Sequence, residues 1–156
     1  MAQQRLEAHT IMTTFTQTIA NNTVLTDVQM NWVKVAKPVP GFNGGTMQYD
    51  VQISTTDKEQ AEAWKSVMPN INIQDDGSAS FTLKRPSFRG RLNVVWEDGG
   101  LLEEPTRAII GNGSRGDIRV SHQTHPKTGT SFVMLEAIKL KELVEFVPEP
   151  INSFDF

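Results

Sequence analysis

From Gln29 to Lys37 apolar and polar positions alternate, which puts Val33 and Val35 on one face of an extended chain and Met30, Trp32 and Lys34 on the other. If the valines face a core, Trp32 and Lys34 share the outside. Met47, Tyr49, Val51 and Ile53 alternate with Gln48, Asp50 and Gln52 as a second strand. The intervening Pro38–Gly45, which carries Phe42, makes the pair a hairpin with a long, flexible tip. Thr56-Asp-Lys-Glu59 has capping-box spacing, and Ala61, Trp64 and Met68 follow at helical intervals until Pro69 stops the helix. Trp64 is therefore expected as a core anchor, because a single short helix needs tertiary packing to be stable.

After the turn at Asp75–Ser78, Phe81 and Leu83 predict one strand, and Leu92, Val94 and Trp96 another, joined by Lys84–Arg91. A further strand has Ile118 and Val120 inward with Arg119 and Ser121 outward, and Thr130 to about Leu140 reads as a last long strand. Pro148 and Pro150 predict an extended tail over 148–156. Residues 1–28 are rich in Thr, Gln and Asn, and their mixed periodicity leaves an arm or an extra edge strand open. The fold class is mainly β: a small, closed or half-closed antiparallel barrel with one helix, spanning 29–147.

The 156 residues, 38% of them hydrophobic, suffice for one domain with a core but not comfortably for two. There is no Cys, so disulfides, thiolate catalysis and Cys-ligated metal sites are excluded. The start lacks the apolar core of a signal peptide and no run approaches a membrane span, so a cytoplasmic location without membrane contact is expected. A net charge of −3 argues against a uniformly basic nucleic-acid coat. The charge is sorted, however: from Lys84 to Lys127 eight Lys/Arg face five Asp/Glu, whereas Glu142–Phe156 holds four acids and no base. A local nucleic-acid surface followed by an acidic, aromatic end, Phe154-Asp155-Phe156, fits that sorting better than a globally charged protein does.

Within Lys84–Arg91 stand Lys84, Arg85, Arg89 and Arg91 with Phe88, a Pro and a Gly, offering phosphate neutralisation and a stacking face in a loop able to adapt to a strand. Exposed loops also carry such cations for solubility alone. Ala108–Asp117 places three glycines around Asn112 and Ser114 with Arg115 beside them and Arg119 just beyond, a place for positive φ or close approach to a ligand. It lacks the Lys-Ser/Thr ending of a phosphate-binding P-loop. Asp117, His122 and His125 do not have the spacing of a metal set on a strand, and Asp75-Asp76 and Glu103-Glu104 read as solvated turns, so no catalytic residue, metal or cofactor is assigned.

The succession Pro105-Thr-Arg-Ala-Ile-Ile-Gly-Asn-Gly-Ser114, a charged strand, a Gly-containing turn, a long strand and Ala137–Phe146 resembles the second half of bacteriophage single-stranded DNA-binding proteins of the podovirus replication type. Asn31-Trp-Val-Lys-Val-Ala-Lys-Pro38, the Gly-bearing hairpin, the Tyr-containing strand and the helix opening Thr55-Thr-Asp-Lys-Glu59 are similar to the first half. The likeness covers about residues 28 to 147 and leaves the first 28 without a counterpart. It implies a five-stranded oligonucleotide-binding (OB) barrel with its helix between the second and third strands, and an acidic tail ending in an aromatic residue that contacts replication partners and shields the groove. Glu142, Glu145, Glu149, Asp155 and Phe156 match such a tail in kind, although its last residues hold few acids.

The expectation is a non-enzymatic, sequence-tolerant single-stranded DNA-binding protein serving phage replication or recombination in the host cytoplasm. Bases would stack on Trp32, Phe88 and Phe42, while Lys34, Lys84, Arg85, Arg89, Arg91, Arg115 and Arg119 track the backbone. Phe154, Asp155 and Phe156 would engage a replicative DNA polymerase or a helicase–primase, and a homodimer stays open. The alternatives are a β-rich structural or protein-interaction module of a virus, and a metal-dependent nuclease on a β-barrel built around Asp117, His122 and His125.

Overall fold

The computed structural model describes residues 15–19, 21–41 and 45–147. Phe42 and the tail residues Phe154, Asp155 and Phe156 lie outside the described residues. The elements, in chain order, are β1 (Thr16–Ile19), β2 (Asn22–Pro40), β3 (Met47–Thr55), α1 (Lys58–Val67), β4 (Ala79–Pro86), β5 (Asn93–Trp96), α2 (Glu104–Ala108), β6 (Ser114–Thr124) and β7 (Ser131–Glu142), with a 3₁₀ turn at Ser87–Arg89.

The protein is mainly β, and all seven strands belong to one sheet in the order β4-β3-β2-β6-β7-β5, with β1 added to β2. The pairings are antiparallel except for β5 with β7. The resemblance implies five strands, whereas the separate strands read at Phe81–Leu83 and Leu92–Trp96 and the extra edge strand left open for residues 1–28 account for the seven found among the described residues. Thr16–Ile19 pairs with Asn22–Leu25, so the described part of the first 28 residues is in the sheet. The path through Phe81 and Val94 is divided into β4 and β5 by the 3₁₀ turn after Pro86 and by Gly90 at φ +97°. The two ends of the sheet, β4 and β5, are thus consecutive in sequence. The sheet curls until β4 lies alongside β7, but no backbone ladder joins those two strands, so of the closed and half-closed arrangements expected the sheet takes the open one.

The helix after the second hairpin strand forms as expected, one residue later than the capping-box spacing placed its start. Asp57 is the N-cap and accepts a hydrogen bond from the Glu59 N–H (2.9 Å), while Thr55 Oγ1 accepts from the Asp57 N–H (3.0 Å). Trp64 is fully buried. It packs with Leu25, Met30 and Val35 of β2, Val51 and Ile53 of β3, Leu83 of β4, Val94 of β5, and Ile118, Leu135 and Leu140 of β6 and β7 in one apolar cluster. A second helix, α2, was not expected. Its Arg107 is buried and donates from Nε to the Leu102 carbonyl (2.9 Å) and from Nη1 to the Leu92 carbonyl (2.7 Å). Burial, with the Arg91 charge adding to it, lowers the Arg107 pKa from its ordinary value.

The strand faces depart from simple alternation where the register shifts, and one such place concerns Trp32. Met30 is fully buried whereas Trp32 is exposed, although a period of two puts them together. Between Asn31 and Lys34 the register with β3 slips by one residue, and Trp32 adopts φ +49°. The bulge turns Met30 inward and leaves Trp32 outside. A further register shift against β7 at Arg119/Val120 accompanies burial of Ser121, which alternation placed outside.

Candidate nucleic-acid interface

The outward face of β2, β3 and β4 is built from residues that cannot serve a core. Lys34 stands opposite Asp50, and Asp50 opposite Lys84. Asn31, Gln52 and Thr82 form the adjoining row, and Gln29, Ser54 and Ser80 the next. Asp50 is further held by Gln48, whose Nε2 donates to its Oδ2 (3.0 Å), and Asn31 Nδ2 donates to Ser54 Oγ (2.7 Å). Two cations flanking one carboxylate within a field of amides and hydroxyls can hold a phosphodiester backbone without attracting anions indiscriminately.

Trp32 adjoins this face at the bulge and is 64% exposed. Its backbone N–H donates to Asn112 Oδ1 (2.8 Å), so a side chain from the Gly111–Gly113 loop captures the donor that the bulge turns away from the ladder. Trp32 and Lys34 line a cleft of about 420 Å³ together with Ile110, Asn112, Val144 and Phe146.

At the other end of the face, the 3₁₀ turn projects Phe88, 74% exposed, with the Arg89 guanidinium 5.9 Å from its ring centroid. Arg85 differs from the other cations of this segment. It points to β7, where Nη1 meets Glu136 Oε2 at 2.8 Å and also donates to the Leu135 carbonyl, while Nε and Nη2 donate to the carbonyls of Gly90 and Arg89. Its guanidinium holds the turn in place, and the segment expected to be a mobile loop is an anchored one. Arg91 lies past Gly90, near Arg107.

The cations of β6 stand apart from Lys34 and Lys84. Arg115 is opposite Gln29 and pairs with Asp27 (3.0 Å), and also donates to the Asp27 carbonyl. Arg119 is exposed four residues further along, opposite Val24 and Ala137. Trp32, Lys34 and Lys84 are therefore brought together, Phe88 and Arg89 extend that surface, and Arg115 and Arg119 continue it onto another part of the sheet.

Gly111 and Gly116 are required by the packing of the chain, and Gly113 takes the positive φ (+93°) that the sequence allowed for in this segment. Gly111 packs against the C-terminal segment, where an added Cβ would stand 2.7 Å from the Val144 carbonyl oxygen. Gly116 faces Val28 and Leu140, and a Cβ there would collide with the Lys139 carbonyl. The residues brought in by this packing, Asn112, Val144 and Phe146, were missed in the sequence because nothing in their local pattern ties them to Trp32. Among the described residues no three His, Asp or Glu side chains are grouped as a metal site. Asp117 is engaged by Lys141 (3.2 Å) and by the Asp27 N–H (2.9 Å), and His122 Nε2 lies 2.9 Å from Thr23 Oγ1. No described helix is long and apolar enough to cross a membrane.

No protein-family model and no curated protein sequence matches the chain. Solved structures do. The single-stranded DNA-binding protein from bacteriophage Enc34 in complex with single-stranded DNA superposes with a TM-score of 0.60 at 13% identity, over 87% of this chain and 96% of that one. The same protein in another structure gives a TM-score of 0.59 at 14% identity, over 87% and 89%. The single-stranded DNA-binding protein encoded by bacteriophage T7 gives 0.47 at 19% identity, over 86% and 94%. The superposition on the Enc34 protein over most of both chains shows that this chain shares that protein's fold.

Proposed function

We propose that the chain binds single-stranded DNA without sequence preference and without catalysing a reaction on it, in the replication or recombination of a phage genome within the host cytoplasm. The observation that carries this reading is the grouping of exposed Trp32 with Lys34 and Lys84 on one outward face. It is supported by the shared fold with a protein solved in complex with single-stranded DNA. In this reading the sheet is an OB-type barrel whose third strand is divided into β4 and β5. Lys34, Lys84, Arg89, Arg115 and Arg119 take phosphates, Trp32 and Phe88 stack bases, and the amide rows tolerate any base. Arg85 supports the site from behind. The Arg115–Asp27 pair is partly exposed and opens when a phosphate competes for the guanidinium.

Phe42 supplies a further ring for base stacking. The acidic end, Phe154-Asp155-Phe156, contacts a replicative polymerase or helicase–primase, and deleting Asn152–Phe156 leaves DNA binding intact or tighter. The test is a titration of oligo-dT at several salt concentrations, followed by tryptophan fluorescence, with magnesium then added to look for cleavage. Quenching with an affinity that falls steeply as salt rises is expected. Absence of binding at low salt overturns the proposal, and magnesium-dependent cleavage would favour the nuclease reading.

A further inference from the structure

The cleft beside Trp32 holds a second exposed aromatic that the strand-face reading leaves unused. Phe146 is 54% exposed, and Val144 and Val147 beside it are also exposed. All three come from the segment that follows β7, and all three line the same cleft as Trp32 and Lys34. We propose that this cleft is a subsite for one nucleobase, formed jointly by Trp32 and Phe146, with the adjoining phosphate on Lys34. The proposal rests on single-strand binding and adds to it a wall contributed by the C-terminal segment.

Three observations carry it. First, the backbone that carries each aromatic is held in place. Trp32 is kept at φ +49°, a conformation rare for a bulky residue, and its N–H is taken by Asn112 Oδ1. Phe146 is fixed through its backbone: its N–H donates to the Ile109 carbonyl (2.7 Å), and the Gly111 N–H donates to the Val144 carbonyl (2.7 Å). Ser114 Oγ accepts from the Val144 N–H (2.9 Å), completing the attachment. With both backbones fixed, only the two side-chain torsions of each ring remain to be ordered when a planar ligand enters.

Second, the cleft is lined mainly by apolar residues. Val33, Ala108 and Ile110 line it, and its polar side chains are Lys34, Asn112 and Glu145. With one cation and one carboxylate it is a poor phosphate site and a good site for a neutral, planar group joined to a phosphate. Third, Lys34 stands on the row that leads through Asp50 to Lys84, so a strand whose phosphates follow that row brings a base to the cleft.

The experiment uses the full chain and oligo-dT, comparing Phe146→Ala, Phe146→Leu and Phe146→Tyr with Lys34→Ala. Loss of one stacked base is expected to weaken binding by Phe146→Ala roughly 5- to 100-fold at fixed salt. Phe146→Tyr should restore affinity and Phe146→Leu should not, because the leucine keeps apolar bulk but has no π-face. The salt dependence should stay unchanged in all three, whereas Lys34→Ala lowers it. Circular dichroism of each variant confirms the fold. Unaltered affinity in Phe146→Ala overturns the subsite, as does full restoration by leucine. Either result leaves salt-dependent binding through Lys34 and Lys84 standing, whereas absence of binding by the unsubstituted chain overturns the functional reading beneath it.

Discussion

Arg85 Nη1 lies 2.8 Å from Glu136 Oε2, and this ion pair spans the gap between β4 and β7 that no backbone ladder bridges. The same guanidinium holds the carbonyls of Arg89 and Gly90, so one side chain fastens the edge strand β4 to β7 and fixes the turn that presents Phe88. A planar fork with five donors can satisfy this set, and a lysine ammonium cannot.

Arg85→Met should destabilise the protein by about 1–3 kcal/mol, chiefly because Glu136 and the turn carbonyls lose their partners. Arg85→Lys should recover only part of that loss. Chemical denaturation measures both, and equal stability of Arg85→Met and the unsubstituted chain would show that the ion pair does not hold the seam.

Lys34→Ala and Lys84→Ala should each lower the slope of log affinity against log salt by about 0.7, the value per phosphate contact on a single strand. Both changes are on exposed sites, so thermal stability should stay nearly constant. Titrations at four or more salt concentrations give the slopes, and an unchanged slope in both variants would remove this face from the phosphate path.

Trp32→Ala should weaken oligonucleotide binding by about 1–3 kcal/mol. Asn112→Ala should weaken it by less, through loss of the hydrogen bond that keeps Trp32 in its unusual backbone conformation. In the Trp32→Ala background the effect of Asn112→Ala should vanish. A double-mutant cycle with additive effects would show that Asn112 does not act through Trp32.

Gly116→Ala should destabilise the fold by about 1–3 kcal/mol, since the methyl group meets the Lys139 carbonyl within the β6–β7 ladder. Thermal unfolding tests this directly, and a variant as stable as the parent would mean that the two strands can separate locally without cost.

Asp76 accepts from Ser78 Oγ (2.6 Å) and from the Ser78 N–H (2.9 Å), and the hydroxyl bond, followed by the amide, lowers its pKa from the ordinary 3.8. The stabilisation is present above that ordinary value and is lost as pH falls through the lowered one. Asp76→Asn should therefore flatten the acid limb of a stability–pH profile, and an unchanged limb would place the acid sensitivity elsewhere.

The elements legible in the sequence were those whose signal is local. Apolar alternation in Met47–Ile53 and in Phe81–Leu83, the helical spacing of Ala61, Trp64 and Met68, and the stop at Pro69 each follow from backbone geometry within a few residues, and the corresponding strands and helix are present. Trp64 could be read as core and Trp32 as exposed for the same reason. Burial of Met30 could not, because the bulge at Trp32 depends on the Asn112 side chain, eighty residues away in sequence.

Charge sorting pointed to a basic, aromatic stretch in Lys84–Arg91, but composition does not tell which cations are committed within the protein. Arg85 turns to Glu136 and Arg115 to Asp27, whereas Lys34 and Lys84 stand exposed on one face around Asp50. These partners are joined by strand register and sheet curvature. The sequence by itself determined a mainly β domain with one strong helix, an exposed tryptophan and a cation-rich turn, all short-range consequences of periodicity and turn chemistry. Only the tertiary structure decided that the ladder stays open between β4 and β7, that Arg85 fastens that seam, and that Phe146 joins Trp32 in one cleft. Such relationships arise when strands distant in sequence are packed edge to edge around a common core.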